Sequence, residues 1–347
     1  MNPYDFVPVD WEHPPVLRPL VEHHNLNGLH GTIECKITAE TPIFISNDPD
    51  SNKPKKFLQN SQGEYFIQGS SLKGMLRSVV ETVGPGCWVL FDGTYKGEDD
   101  GEKDYNRKLP RNFSKCDNPD KLCPACLLFG IVNGDKVHYQ GRVGVDDAIC
   151  TNAVPHEPIY TIILSNPKPR HEIWYLDHDK LAGRKYYFHQ QEISTLSGWK
   201  TTREGKKLNQ YLTPLNGGST FLFKVSFKGL DNEELSLLLY ALFLEENMRH
   251  KIGYAKPAGL GSVKIEPVSM KMTDFRSRYK VGAESQVFDA NKLTDYINEM
   301  AAVYRNKNSI TMEALRRIWR WPPDYQRCSY PDREWFDKNS MAPISET

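Results

Sequence analysis

An α+β fold, an antiparallel sheet with a few helices packed against it, is predicted by three observations. Residues 31–38 and 219–227 alternate apolar and polar positions, the period of a half-buried strand. Residues 70–83 and 232–246 carry apolar side chains at helical spacing. These helices are few among many strands and do not form a βαβαβ series, which suits an α+β sheet of ferredoxin-like type with long insertions.

Taken in order, residues 1–29 read as an irregular, Pro-containing arm. The first strand begins at Gly31, with Ile33, Cys35 and Ile37 on one face, and continues through Pro42-Ile43-Phe44-Ile45. A polar loop, SNDPDSNKPKK, follows, and residues 57–68 form a short hairpin around Ser61-Gln62-Gly63. The helix over residues 70–83 is capped by Ser70 or Ser71 and stopped by Gly84-Pro85-Gly86. Residues 92–122 are a long charged stretch, of the kind that is functional or disordered. A short helix over residues 123–130 ends at a glycine, and residues 137–145 form a strand. The run IYTIIL, flanked by prolines, marks a projecting hairpin arm. Residues 183–189 are strand-like and residues 190–212 an exposed insertion. After the strand at 219–227 and the helix capped by Asp231-Asn232, a glycine loop leads to a strand, SVKIEPVSM. Residues 285–321 are helical in two pieces, and the tail is irregular.

The 347-residue chain has 44 Lys and Arg against 44 Asp and Glu, a net charge of zero. This argues against a uniformly basic nucleic-acid binder but leaves room for a local basic groove. No apolar run reaches the roughly 18 residues of a membrane span. The amino terminus has no apolar core of a signal peptide, so a reducing cytoplasm is the expected compartment. The seven cysteines are odd in number and clustered, which suits a metal better than a disulfide framework.

Four sets of residues carry candidate chemistry. Cys116, Cys123 and Cys126 have the spacing of a structural zinc site, the Cys-x2-Cys pair placing two thiolates on one turn. Cys87 and His138 are the leading candidates for the fourth ligand. A metal there would staple an insertion with little apolar content. In GSSLKGMLR, helix-start N–H groups, Ser70, Ser71, Lys73 and Arg77 favour an anion such as phosphate; the bland alternative is a capped amphipathic helix with solvated charges. In residues 251–261, Gly253, Gly259 and Gly261 would let a backbone approach phosphates closely, with Lys256 beside them and Tyr254 able to stack on a base; such loops are also simply turns. Arg170, His171, Trp174, Tyr175, Arg184, Lys185, Tyr186, Tyr187 and His189 form a basic and aromatic set suited to single-stranded RNA, or to a sheet with its aromatics inward.

IQGSSLKGMLRSVVE resembles the strand-to-helix signature of the RAMP superfamily of CRISPR-associated proteins. CPACLLFG followed by GRVGVDDA, then GRKYYFHQ and KPAGLGSVKI, resemble its later landmarks in order and spacing over residues 30–270. Within that superfamily the chain looks like a backbone, Cas-seven-type subunit of a type III-D-like or type VII effector. The resemblance implies a modified RNA-recognition-motif, ferredoxin-like palm with a thumb hairpin and an insertion lid, to which the residues themselves add a zinc staple in the insertion and a C-terminal helical extension. It divides the chain into an arm (1–29), the main domain (30–270) and the extension (271–347). The insertion lies at about 92–126 and the thumb at about 149–168.

The resemblance further implies copies stacked head to tail along a CRISPR guide RNA, pairing of the guide with target RNA, and contacts with other effector subunits. Ser70, Ser71, Lys73, Arg77, Gly253, Tyr254, Lys256, Gly259 and Gly261 fall where the family binds the guide. Ile159, Ile162 and Ile163 are the wedge candidates of the thumb. Slicing relatives carry an Asp in the loop before the GSSLKG helix for metal-dependent cleavage. Here Asp48 and Asp50 are available, with Mg2+ as cofactor if they are catalytic, but Lys53, Pro54, Lys55 and Lys56 occupy the stretch nearest the helix. A non-cleaving scaffold, with a separate nuclease as in type VII systems, is therefore the leading expectation, and the same scaffold with intrinsic endonuclease activity the alternative.

Overall fold

The computed structural model describes residues 1–24, 27–46, 53–91, 94–97, 101–164, 173–178, 180–275, 286–339 and 342. In chain order, β1 (Tyr4–Val7) and β2 (Leu29–Ala39) precede β3 (Phe66–Ile67) and α1 (Gly69–Val83). A hairpin of β4 (Thr94–Gly97) and β5 (Gly101–Asp104) leads towards α2 (Pro124–Phe129), β6 (Gly130–Asn133), β7 (Val137–Gln140), β8 (Val143–Val145) and β9 (Ala148–Asn152). Short strands follow: β10 (Ile159–Thr161), β11 (Leu176–Asp177), β12 (Lys180–Leu181), β13 (Arg184–Tyr187), β14 (Thr195–Leu196) and β15 (Tyr211–Leu212). Then come β16 (Thr220–Leu230), α3 (Asn232–Phe243), β17 (His250–Lys251), β18 (Ser262–Met272) and β19 (Gln286–Phe288). The helices α4 (Ala290–Arg305), α5 (Ile310–Ile318) and α6 (Arg333–Lys338) follow.

The principal sheet is antiparallel and runs β17-β18-β2-β16-β9-β3, with β8 also on β16 and β19 on β18. β2 is central because both its edges are paired, Val225 opposite Ile33 on one side and Ile265 opposite Ile37 on the other. Its alternation is the predicted one: Ile33, Cys35 and Ile37 are buried, while Glu34 and Lys36 face solvent. α1 buries Leu72, Leu76, Val79 and Val80. α3 begins with a capping box in which Asp231 accepts from the Glu234 N–H and Glu234 reaches back to the Asp231 N–H. The antiparallel α+β sheet is thus of the ferredoxin-like type that the order of elements predicts, and it is the palm that the resemblance implies.

Several local expectations are corrected. The amino-terminal arm is not wholly irregular: β1 pairs with β13, and Tyr4 and Phe6 pack with Trp174 in a separate aromatic cluster. α1 starts at Gly69 with Gln68 at its cap position, and neither Ser70 nor Ser71 caps it. The Asp147 carboxylate instead accepts from the Gly69 N–H at 2.7 Å. The strand expected over 137–145 breaks at Gly141-Arg142, where Arg142 turns inward to pair with buried Glu234.

The projecting hairpin arm expected around IYTIIL is paired differently. Among the described residues, β9 joins the principal sheet, and β10 lies between β14 and β15. Residues 190–212 therefore complete a three-stranded sheet rather than forming a mere insertion. Beyond β19, α4 and α5 are the two expected helical pieces, and Trp319 is buried beside them.

Candidate nucleic-acid groove and metal centre

A cleft of about 520 Å3 opens between α1, β13 and the turn after β17. Ser71, Gly74 and Met75 come from α1, Lys185 and Tyr187 from β13, and Lys251, Gly253, Tyr254 and Lys256 from the third side. Four of the expected RNA-binding residues, Ser71, Gly253, Tyr254 and Lys256, thus meet in one place although they lie far apart in sequence. Among the described residues, no Asp or Glu lines this cleft. Tyr254 is 42% exposed, as a stacking ring would have to be.

Burial strips water from the cations of this cleft. It pushes the Lys251 ammonium down to about 7 and Lys185 to about 8, and lowers Lys256. Lys185 Nζ sits 3.6 Å from the centroid of the Tyr4 ring and has no carboxylate partner among the described residues. Lys251 Nζ donates to Ser262 Oγ (3.0 Å), and Lys256 Nζ to the Gly253 carbonyl (2.9 Å). The positive charge here is under-solvated and, among the described residues, faces no carboxylate in the cleft wall.

A second cleft, of about 700 Å3, adjoins the first and shares Gly74, Ser78 and Lys185 with it. Lys73, Arg77 and Arg184 line it, with Trp88 and Phe91 among its apolar walls. Lys73 is lowered by burial and by neighbouring Arg77. The two clefts form one groove crossing α1 at Gly74, a helical glycine where a Cβ would meet only open space. Glycine costs a helix about 1 kcal/mol relative to alanine, and no contact among the described residues requires it at this position.

Other expected contacts are placed elsewhere. Ser70 is exposed and lines neither cleft. Gly259 and Gly261 are buried, and they shape the loop rather than face the groove. Gly261 has φ +80°, and a Cβ there would lie 1.8 Å from the Ile252 carbonyl oxygen. Gly253 has φ +87°, and its Cβ would lie 2.5 Å from the Phe44 carbonyl oxygen, so it serves both turn and groove. The helix start is not the open anion site expected, because the Asp147 carboxylate already occupies the first N–H. Ile162 is half-buried and packs on the core, whereas Ile163 is 41% exposed. Asp48 and Asp50 lie outside the described residues. Lys185 and Tyr187, which belong to the basic and aromatic run, prove to line the groove, while Trp174 of that run points inward.

Beneath the second cleft, Cys87, Cys116, Cys123 and Cys126 converge. All four are buried and their Sγ atoms lie within 4.8 Å of one another. His138 is exposed on β7 and outside this group. Sulfurs held about 2.3 Å from one tetrahedral ion would be slightly under 4 Å apart, so the cluster fits a zinc-sized metal. The Cys87 N–H donates to Cys123 Sγ and the Cys123 N–H to Cys116 Sγ, both at 3.4 Å, as thiolate ligands favour.

Arg77, which lines the second cleft, is also bonded to this centre. Its Nη2 donates to Cys126 Sγ (3.1 Å), its Nη1 to the Gly130 carbonyl (2.5 Å) and its Nε to Glu81 (2.8 Å). Arg184 pairs with the other Glu81 oxygen (2.9 Å) and donates to the Cys87 carbonyl (3.1 Å). The groove wall and the four-cysteine centre therefore share one buried carboxylate.

The family model of the RAMP superfamily matches residues 36–264. The chain belongs to the RAMP superfamily. The matched span runs from the middle of β2 into β18 and includes both walls of the groove and all four clustered cysteines of this RAMP protein. Among solved structures it is similar to a chain of the Csm3-Csm4 subcomplex in the type III-A CRISPR-Cas interference complex. That likeness has 15% identity and a TM-score of 0.36 and covers 81% of this chain and 98% of the other. No curated protein sequence matches the RAMP chain. None of its described helices is long and apolar enough to cross a membrane.

Proposed function

We propose that this RAMP protein is a guide-RNA-binding backbone subunit of a cytoplasmic CRISPR effector. The supporting observation is the first cleft beside α1, where Ser71, Lys185, Lys251 and Lys256 converge on exposed Tyr254 and, among the described residues, no Asp or Glu lines the wall. The guide strand passes over Gly74 with its phosphates towards Lys73, Lys185 and Lys256, and a base stacks on Tyr254. Copies stack head to tail along one guide, other effector subunits close the ends, and target RNA pairs with the presented bases. The thumb is the sheet containing β10, and exposed Ile163 is its wedge. Zinc in the four-cysteine centre is structural and holds the second cleft in shape.

The subunit presents target RNA without cutting it, and a separate nuclease supplies cleavage. Lys55 supports this reading: its N–H and carbonyl bond with Tyr211 and Thr213, so the chain just before β3 is built into the thumb sheet as a lysine-bearing edge. Co-expression with a CRISPR array, followed by size-exclusion chromatography with multi-angle scattering, tests the assignment. Several protomers on one protected guide of defined length are expected. An RNA-free monomer under those conditions contradicts it. Regular cuts in target RNA with Mg2+, lost in Asp48→Ala or Asp50→Ala, would replace the scaffold reading with the slicing one.

A further inference from the structure

The outer face of the three-stranded sheet has no role in the groove. Alternation along β10 turns Thr161 inward, where it is buried beside fully buried Leu212, and turns Tyr160 outward. Tyr160 lies opposite Tyr211, and the two rings stack at 4.1 Å with planes 9° apart. Trp199 meets Tyr160 edge-on at 5.2 Å, and Lys207 Nζ lies 4.0 Å from the centre of the Trp199 ring. All three aromatic residues are half-buried, leaving part of each at the surface.

The loop that carries Trp199 is held in place rather than loosely attached. Asn209, only 1% exposed, donates to the Thr161 and Gly198 carbonyls (3.0 and 3.1 Å) and accepts from the Lys200 N–H (2.9 Å). Charge is concentrated there too. Residues 53–56 and 195–213, joined through the Lys55 bridge to Leu212, carry seven Lys and Arg against one acid, Glu204, in a chain of zero net charge. Leu208, whose N–H donates to the Lys200 carbonyl at 2.9 Å, is exposed.

We infer that this face is a second RNA-binding surface, a stacking platform for unpaired single-stranded RNA, separate in its residues from the α1 groove. Anchored rings with exposed portions accept bases of any sequence, and lysines around them follow the phosphates. Charge favours a polyanion over a neutral partner, and the aromatic stack favours unpaired bases over a duplex whose bases are already stacked.

The test uses the full chain and a fluorescent 20-nucleotide uridine strand, with an RNA duplex of equal length as control. Lys200→Glu with Lys206→Glu is expected to raise the Kd for the single strand about tenfold near 0.1 M salt and to lower the log–log salt slope by about 1.4, the value for two lost phosphate contacts. Trp199→Ala, checked for folding by its melting curve, is expected to weaken single-strand binding at least fivefold with the slope unchanged and duplex binding little affected. Wild-type affinity in both variants overturns the proposal. So does loss of self-association with RNA affinity intact, which would assign the face to a protein partner. Lys73→Glu with Tyr254→Ala, measured in parallel, reports on the α1 groove alone, so failure of either surface is read separately.

Discussion

Arg77 Nη2 donates to Cys126 Sγ at 3.1 Å, tying the helix that floors the groove to the four-cysteine centre. Sequence spacing suggests that this arginine faces a phosphate, and the structure places it on a cysteine sulfur at the cleft wall. Its guanidinium reaches a sulfur, a carbonyl and a carboxylate at once, which a lysine ammonium on a single stem cannot reproduce. Arg77→Lys is expected to weaken metal binding by about tenfold to a hundredfold, as removal of outer-shell partners generally does. Competition against a chromophoric chelator measures this, and unchanged metal affinity would show that the contact is incidental.

Metal content is the next prediction. The purified protein is expected to hold one zinc per chain by elemental analysis. Cys123→Ser with Cys126→Ser is expected to lose it and to melt at lower temperature, because the polar insertion loses its staple. A wild-type protein free of metal would contradict the assignment.

Glu81 accepts from both Arg77 and Arg184 and is almost fully buried. Removing it leaves two buried guanidinium groups without their carboxylate. Glu81→Ala is therefore expected to cost about 3–5 kcal/mol in denaturant unfolding, the usual loss when one partner of a buried ion pair is deleted. A change below about 1 kcal/mol would indicate that water replaces the carboxylate.

The lysines of the groove give stability and binding opposite pH trends. Lys251 and Lys185 are lowered by burial to about 7 and about 8, from 10.5. Above those values the unfolded chain binds more protons than the folded one, so stability rises with pH from about 7 towards 10.5, by at most about 1.4 kcal/mol per pH unit per lysine. Deprotonation removes the charge that attracts phosphate, so RNA affinity is expected to fall between pH 7 and 9 at fixed ionic strength. Melting and binding measured across that range check both signs. A flat affinity profile would remove Lys185 and Lys251 from the interface.

The groove itself is tested by Lys73→Glu with Tyr254→Ala. Lys73 lines the second cleft and Tyr254 the first, so the pair samples both ends. The expected outcome is RNA binding weakened by tenfold or more with a reduced salt slope and unchanged melting temperature. Wild-type binding would refute the groove.

Local chemistry is what the sequence by itself determined. The alternation of Ile33, Cys35 and Ile37, the stripe of Leu72, Leu76, Val79 and Val80, and the Asp231 cap act within a few residues, so the central strand and both main helices are legible in the order of residues alone. The pair Cys123 and Cys126 is legible for the same reason, and Cys87 is one of two leading candidates for the fourth ligand. Tertiary structure decided which groups share a space. It set β1 against β13, inserted β10 between β14 and β15, chose Cys87 over His138, turned Arg77 inward to Cys126 and placed the Asp147 carboxylate at the start of α1. Each of these contacts closes a long loop. Its partner is selected by the requirement that buried strand edges, guanidinium groups and N–H groups all find hydrogen bonds, a condition on the whole packed chain that no window of sequence contains.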